Sequence, residues 1–246
     1  MPGFARGQFM VDYEQRCDLD ALRRKRVEKA QQAMKEQGVD AVFVWKVENT
    51  RYLSSLRASF LAHQEAVRSG VLLTQRGRPH IFVNGGEIAR ITRDMPWIDG
   101  FHSLPKLEEQ PLTDKLVTHL LRPLLQELGV AGGRLAIDAM TFTQYKSYSR
   151  LLPGVELVDG NLFMHKVRRI KLPEEIYMIR EACAIADAVN QEAMDNVKAG
   201  RRECDVAAAA MKTLHHYGGE MPHLVSPFVA SGEHMSPPTR FATDKI

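Results

Sequence analysis

The sequence predicts an α/β fold, a domain whose helices cover a mixed sheet, followed by an incomplete second domain. Three observations predict it. Short apolar runs alternate with helical patterns between Asp18 and Val158, as expected where helices lie on a sheet. Near residue 160 this alternation gives way to long helices. Two helices and one strand then follow before the last residue, too few elements for a well-covered second core. At about 150 residues per domain, a chain of this length holds between one and two, and the expected division is 1–160 and 161–246.

Asp18 is a good N-cap for a first helix with Leu19, Leu22, Val27, Ala30 and Met34 along one side, stopping near Gly38. The run Ala41-Val42-Phe43-Val44-Trp45 reads as a buried strand. Residues 68–74 and 79–83 read as two strands joined through Gln75-Arg76-Gly77-Arg78, a hairpin signal. A short helix is expected over 86–93. Residues 112–128 are helical, with Pro123 kinking or restarting the helix. A strand over 135–138, a helix over 141–151 and a short strand over 155–158 complete the first domain.

Asp159-Gly160-Asn161 reads as a turn, followed by the basic segment His165-Lys166-Val167-Arg168-Arg169. The longest helix is expected over 173–199. Pro173 suits its first position because the missing N–H would have no partner there, and Glu174 and Glu175 sit at the positive end of the helix dipole. Ile176, Ile179, Cys183, Ala186, Val189, Ala193 and Val197 recur at steps of three and four, predicting one apolar face; Gly200 ends it. A second helix is expected over 205–217 with Val206, Ala210, Leu214 and Tyr217 inward. A strand over 224–230 leads to Ser231-Gly232.

Composition narrows the function classes. Hydrophobic residues make up 44% and charged residues 26%, which excludes collagen-like, disordered and membrane-spanning chains. No apolar run approaches the roughly 18–20 residues of a spanning helix, and residues 1–15 lack the apolar core of a signal peptide. A net charge of +3 is too even to imply a nucleic-acid partner. Cys17, Cys183 and Cys204 are far apart and odd in number, so three free thiols in a reducing cytoplasm are expected.

No G-x-S-x-G elbow, phosphate loop or H-E-x-x-H is present, and no dinucleotide fingerprint develops around Gly85-Gly86. The run Arg23-Arg24-Lys25-Arg26 reads as a solvated helix face; Trp45 and Trp97 read as core or edge residues. His215, His216, His223 and His234 gather late in the chain near Glu220 and Glu233. Adjacent helical residues point about 100° apart, so His215 and His216 do not share a metal. The set reads as helix-end and loop histidines, with a pocket role for His223 or His234 as the alternative, since both flank the strand ending at Ser231-Gly232.

Four stretches carry a family resemblance. Val167-Arg168-Arg169-Ile170-Lys171-Leu172-Pro173-Glu174-Glu175-Ile176 resembles the "R-x-I-K-x-P-x-E-I" opening of the catalytic domain in the creatinase, prolidase and Xaa-Pro aminopeptidase family. Gly200-Arg201-Arg202-Glu203 resembles that family's "G-x-x-E" helix start. Residues 225–233, Val-Ser-Pro-Phe-Val-Ala-Ser-Gly-Glu, resemble its "P-x-V-A-S-G" strand. Asn49-Thr50-Arg51-Tyr52-Leu53-Ser54-Ser55 resembles "N-x-x-Y-L-S-G" in its amino-terminal domain. The resemblance implies a ribonuclease-H-like amino-terminal domain followed by the first part of a pita-bread catalytic domain. It also implies a peptide or small-amide substrate, a homodimer at full length, and two divalent metals (manganese, cobalt or zinc) held by two Asp, one His and two Glu. A metal-bridging hydroxide would attack the carbonyl before proline. Creatinase-type members work without metal, and another branch resembles a dimethylsulfoniopropionate lyase.

Two departures follow from the resemblance. The family's five ligands come after the segment present here, and past Gly219 none of Glu220, Glu233 and Asp244 matches one, so no metal is expected in this chain and no activity without the ligand-bearing half. The family's active-site His, eight residues after the Ser of the "S-G" pair, falls at Thr239, which cannot accept a proton near neutrality as an imidazole does; His234 is the nearby substitute. His234 and Thr239 are therefore the catalytic candidates. Tyr52, Arg57 and Phe60, in a loop after the first strand, and His223 are the candidates for a substrate pocket, the first three facing a partner subunit. The other readings are a metal-free hydrolase, a lyase, and a non-catalytic relative serving subunit contact.

Overall fold

The computed structural model describes residues 17–57, 69–220, 227–236 and 241–246. The chain divides into two compact units, 19–171 and 1–18 with 172–246.

The first unit is built on six strands: β1 (Ala41–Val44), β2 (Gly70–Thr74), β3 (His80–Asn84), β4 (Gly100–Leu104), β5 (Arg134–Ile137) and β6 (Glu156–Asp159), in the order β4-β3-β2-β1-β5-β6. The β2–β3 hairpin and the β1–β2 pair are antiparallel; β3–β4, β1–β5 and β5–β6 are parallel. The sheet is mixed, as the alternating pattern predicts. On one face lie α1 (Leu19–Gln37), α2 (Val47–Ser54), α3 (Gly85–Asp94) and α7 (Gly160–Arg169), whose Met34, Leu53, Ile91 and Met164 meet Val42, Val44, Val71 and Ile81. On the other, α4 (Gln110–Leu116), a π turn (Val117–Leu121), α5 (Arg122–Glu127) and α6 (Phe142–Leu151) bring Val117, Leu121, Leu125 and Tyr148 onto Phe43, Leu72 and Phe82. β1 is buried on both faces because successive side chains alternate between these two cores. Burying a side chain such as Phe43 stabilises by about 1.5–3 kcal/mol.

Several expectations need correction. The segment after β1 is not a loop: α2 is helical, ended by Ser55 in the left-handed region (φ 59°) with its N–H on the Arg51 carbonyl at 2.7 Å. Gly-Phe-His-Ser-Leu forms the edge strand β4; its glycine and polar residues give no strand signal, and pairing with β3 makes it one. Asp159-Gly160-Asn161 is the start of α7, with the Asp159 carboxylate accepting the N–H groups of Asn161 (2.8 Å) and Leu162 (3.0 Å). Phe163, Met164 and Val167 of α7 lie in the first core, so the first unit runs on past residue 160 to Lys171. Pro123 stands at the start of α5, which continues directly from the π turn. The turn before it widens, with Arg122 N–H reaching back five residues to Val117 O, and this relieves the clash of the proline ring with the preceding turn.

In the second unit, α8 (Pro173–Asn196) packs on α9 (Glu203–His216). Val206, Ala207 and Ala210 are buried. The predicted apolar stripe of α8 is not: Ile176, Ile179 and Val197 are 43%, 45% and 64% exposed, and Cys183 and Ala186 are exposed too. Tyr217, expected inward, is 56% exposed. Two packed helices cover only the strip along their contact, so the remainder of each apolar face stays open. The expected strand over 224–230 falls partly outside the described residues, and 227–230 form no strand.

Candidate functional site

The chain leaves β1 in one direction across the sheet and returns to β5 on the other side, so the carboxyl ends of these parallel neighbours form a switch point. Asp138, directly after β5 and 8% exposed, fills it. Its carboxylate accepts Trp45 N–H (2.7 Å), Lys46 N–H (3.1 Å) and Asn49 Nδ2 (2.7 Å). Asn49 Oδ1 accepts from Arg168 Nη1 (2.7 Å), and Lys46 Nζ donates to Asn161 Oδ1 (2.5 Å). One buried carboxylate thus ties β1, α2 and α7 together. Asn49 opens the "N-x-x-Y-L-S" stretch and Arg168 belongs to the "R-x-I-K" stretch. Asp138 itself gives no sequence signal beyond its place after an apolar run.

In the "R-x-I-K-x-P-x-E-I" segment Arg168 reaches across to α2, whereas Lys171 and Glu175 act locally. Lys171 Nζ donates to the Arg168 (2.6 Å) and Arg169 (3.3 Å) carbonyls at the negative end of α7. At the start of α8, the buried Glu175 carboxylate accepts Leu172 N–H (2.8 Å) three residues back, one of the orphan donors of a helix start.

In the second unit, Glu203 gathers two of the motif pieces. Its carboxylate, 3% exposed, accepts Ser231 N–H (2.7 Å), Ser231 Oγ (2.8 Å), Thr243 N–H (3.0 Å) and Thr243 Oγ1 (2.7 Å). The Thr243 and then the Ser231 hydroxyls hold its pKa down at about 2. The carbonyls of Lys245 and Thr243 in turn accept Glu203 N–H and Cys204 N–H, both at 2.9 Å, and so cap α9. Lys245 Nζ pairs with Glu233 (2.8 Å). The effect is to pin the short 3₁₀ turn Gly232–His234 and the 241–246 segment to the amino end of α9.

The structure scatters the remaining candidates. His234 closes that 3₁₀ turn. Thr239, His223 and Phe60 lie outside the described residues. Tyr52, expected in a loop, is a core residue of α2, 6% exposed, with the Arg26 guanidinium 4.7 Å from its ring centroid. Arg57, just past α2, is half-buried. The basic run at 23–26 is not a uniformly solvated face either, since Arg23 and Arg26 stack on Trp97 and Tyr52. His215 and His216 are exposed in the last turn of α9, where His216 meets the Tyr217 ring edgewise at 5.2 Å. None of the three cysteines is in a disulfide. Among the described residues no three His, Cys, Asp or Glu side chains converge as ligands, so these donors form no seat for two divalent ions. No helix among them is long and apolar enough to cross a membrane.

The model of the creatinase/prolidase N-terminal domain matches residues 26–170, more than half of the chain. The chain belongs to the creatinase/prolidase family. A second model, metallopeptidase family M24, matches 177–246. The Xaa-Pro dipeptidase of Pyrococcus furiosus is 24% identical over 223 residues, covering 90% of this chain and 57% of that protein. A creatinase from a Bacillus species is 29% identical over 177 residues, covering 71% and 40%. The solved structure of the prolidase from Pyrococcus furiosus superposes with a TM-score of 0.65 at 21% identity, over 89% of this chain and 61% of that one. The chain therefore spans less than two thirds of the length of each of these relatives. Its architecture is the expected one, an α/β amino-terminal domain and part of a pita-bread domain shared with the prolidases.

Proposed function

We propose that this chain is the amino-terminal portion of a family hydrolase that cleaves a C–N bond in a peptide or small amide, and that it is inactive without the ligand-bearing half. The observation that carries the reading is the ordered match of both family models, 26–170 and 177–246. The Glu203 tie supports it, because it fixes the Ser231-Gly232 segment on which His234 sits. In this reading His234 and Thr239 stand at the reaction centre, His223 lines the substrate pocket, and Arg57 and Phe60 approach the pocket of a partner in a cytoplasmic homodimer. Two divalent metals would be held by residues other than those described here, and cysteines outside any disulfide fit a reducing compartment. A second reading, a metal-free creatinase-type hydrolase, is favoured by the creatinase relative and by Thr239 in place of the family's His.

The test is turnover. The purified 246-residue chain and the product of the gene's whole reading frame are each assayed against an Xaa-Pro dipeptide, creatine and dimethylsulfoniopropionate, with and without manganese. The whole product is expected to hydrolyse the dipeptide with manganese, and the 246-residue chain nothing. Creatine hydrolysis without metal selects the second reading. Turnover by the 246-residue chain, or none by the whole product, overturns the assignment.

A further inference from the structure

A cavity of about 480 Å³ opens in the first unit between α1, the β2–β3 turn and the segment before β4. Its volume is within the range of small-molecule sites. Val27, Leu53 and Pro79 supply apolar wall, and Trp97 supplies an aromatic surface. That surface is fixed: the indole Nε1–H donates to the Ser54 carbonyl at 2.8 Å. Arg23 lies over the ring, with its guanidinium carbon 3.7 Å from the ring centroid.

Arg23 is unusual for an arginine on a helix surface. Its side chain is only 10% exposed and is anchored by Nη1 to Asp20 Oδ1 at 2.7 Å. Its Nε–H is buried and meets no acceptor. A guanidinium has five donors and no acceptor, and a buried donor without a partner is unfavourable. Arg24 and Arg78 line the same cavity. The Arg78 backbone is held by its N–H on Asp99 Oδ2 (3.1 Å) and its side chain by Nη1 on Pro96 O (3.3 Å), so this cation too is positioned in advance. Asp20 and Glu28 are the acidic groups of the lining. Asp99, just outside the lining, pairs with Arg78 at 3.9 Å, so the three cations face three anions, a balance that suits a singly charged ligand better than a phosphate.

We propose that this cavity binds a monocarboxylate with an apolar or aromatic body, the body against Trp97, Val27 and Leu53 and the carboxylate among Arg23, Arg24 and Arg78. The same chemistry is offered by a free organic acid and by the carboxyl end of a peptide. The site lies within 19–171 and does not depend on the hydrolase reading; its test involves no turnover.

The experiment follows the Trp97 indole N–H resonance in the ¹⁵N-labelled chain, with Trp45 as the internal reference, during titration with phenylacetate. A saturable shift of Trp97 alone is expected, with phenylacetamide, which lacks the charge, producing none. Arg23→Gln is expected to weaken binding by at least about tenfold. Because Arg23 also stacks on Trp97, the exposed Arg24→Gln is the second variant, expected to weaken binding severalfold without altering the spectrum of the free protein. Arg93→Gln, on α3 outside the cavity, is expected to leave binding unchanged. The dipeptide Gly-Phe, compared with its amide, separates the two sources: tighter binding of Gly-Phe than of phenylacetate identifies a peptide end, and the reverse identifies a free acid. No saturable shift with either probe overturns the proposal, as does equal binding of phenylacetamide or unchanged affinity in both Arg23→Gln and Arg24→Gln.

Discussion

Asp138 shows what a single buried carboxylate does at the switch point. Three donors from residues 45–49 converge on its two oxygens, at sequence separations of 89 to 93 residues. Removing the acceptor strands two backbone N–H groups and an amide in a site with little water. Asp138→Ala is expected to destabilise the first unit by about 3–5 kcal/mol. Asp138→Asn keeps one carbonyl oxygen but turns an NH₂ toward a donor, for an expected loss of about 1–3 kcal/mol. Urea denaturation monitored by tryptophan fluorescence measures both, and an alanine variant within 1 kcal/mol of the parent would contradict this role for the carboxylate. Sequence pattern could not reveal this residue, because nothing local distinguishes an aspartate that ends a strand in water from one that receives a distant turn. Glu203 and Ser231 were legible as pieces of two short motifs. Their joining in one hydrogen-bonded cluster was not, since nothing in the sequence across their separation of 28 signals the contact. Tyr52, expected in a loop facing a partner subunit, proves to be core, its ring buried in α2 beside Arg26 of α1.

The start of α7 states the same lesson for a secondary-structure element. Asp-Gly-Asn is turn chemistry by composition, and here Asp159 caps a helix while Gly160 lets the helix cross β5. A Cβ on Gly160 would stand 2.6 Å from backbone N and C atoms of Ile137 and 2.8 Å from Asp138 N. None of these is a flexible side chain that could swing away. Gly160→Ala is therefore expected to shift α7 from the sheet and destabilise by about 1–3 kcal/mol, with loss of amide protection in both β5 and α7; unchanged stability would show that the helix slides freely. The start of α6 is held differently. Thr141 Oγ1 accepts Gln144 N–H (3.1 Å) while Gln144 Oε1 accepts Thr141 N–H (2.8 Å), a reciprocal cap. Thr141→Ala is expected to lower stability by about 1 kcal/mol, measured by the same denaturation midpoint. Elements with strong local signals, such as β1, the hairpin and α6, were readable from the sequence. β4 was not, because its strand character comes from pairing with β3. The apolar stripe of α8 was read correctly as a pattern and wrongly as a buried face, since period specifies which residues share a side and not what covers them.

Acid should weaken the first unit before the second, because only the first holds a perturbed histidine pair in addition to perturbed carboxylates. In the first unit, His80 on β3 and His102 on β4 stack with ring centroids 5.5 Å apart and Nδ1 to Nε2 at 3.3 Å. Burial, and then the neighbouring His80, pushes His102 down to about 4; burial also lowers His80, against the opposing pull of Asp99 and Glu127. The unfolded chain takes up these protons from about pH 6.5 downward, whereas the folded pair resists until lower pH. Stability of the first unit therefore falls on acidification from pH 6.5 toward 4, by up to about 1.4 kcal/mol per pH unit for each proton taken up on unfolding. In the second unit the sign of the shift is the same but the group is an acid. The folded pKa of Glu203, about 2, lies below its ordinary 4.5, so its contribution is fully present above 4.5 and is lost as pH falls toward 2. Both tryptophans, Trp45 and Trp97, lie in the first unit, which makes their fluorescence a reporter of that unit alone, while the amide resonances of Ser231 and Thr243 report the second. The urea midpoint followed by fluorescence should already decline between pH 6.5 and 4.5, where the Ser231 and Thr243 signals keep their native positions, and those signals should move only below 4.5. His102→Gln, which cannot take up a proton, should flatten the upper part of the profile and leave the lower part intact. A profile unaltered by that substitution would locate the acid sensitivity outside the histidine pair.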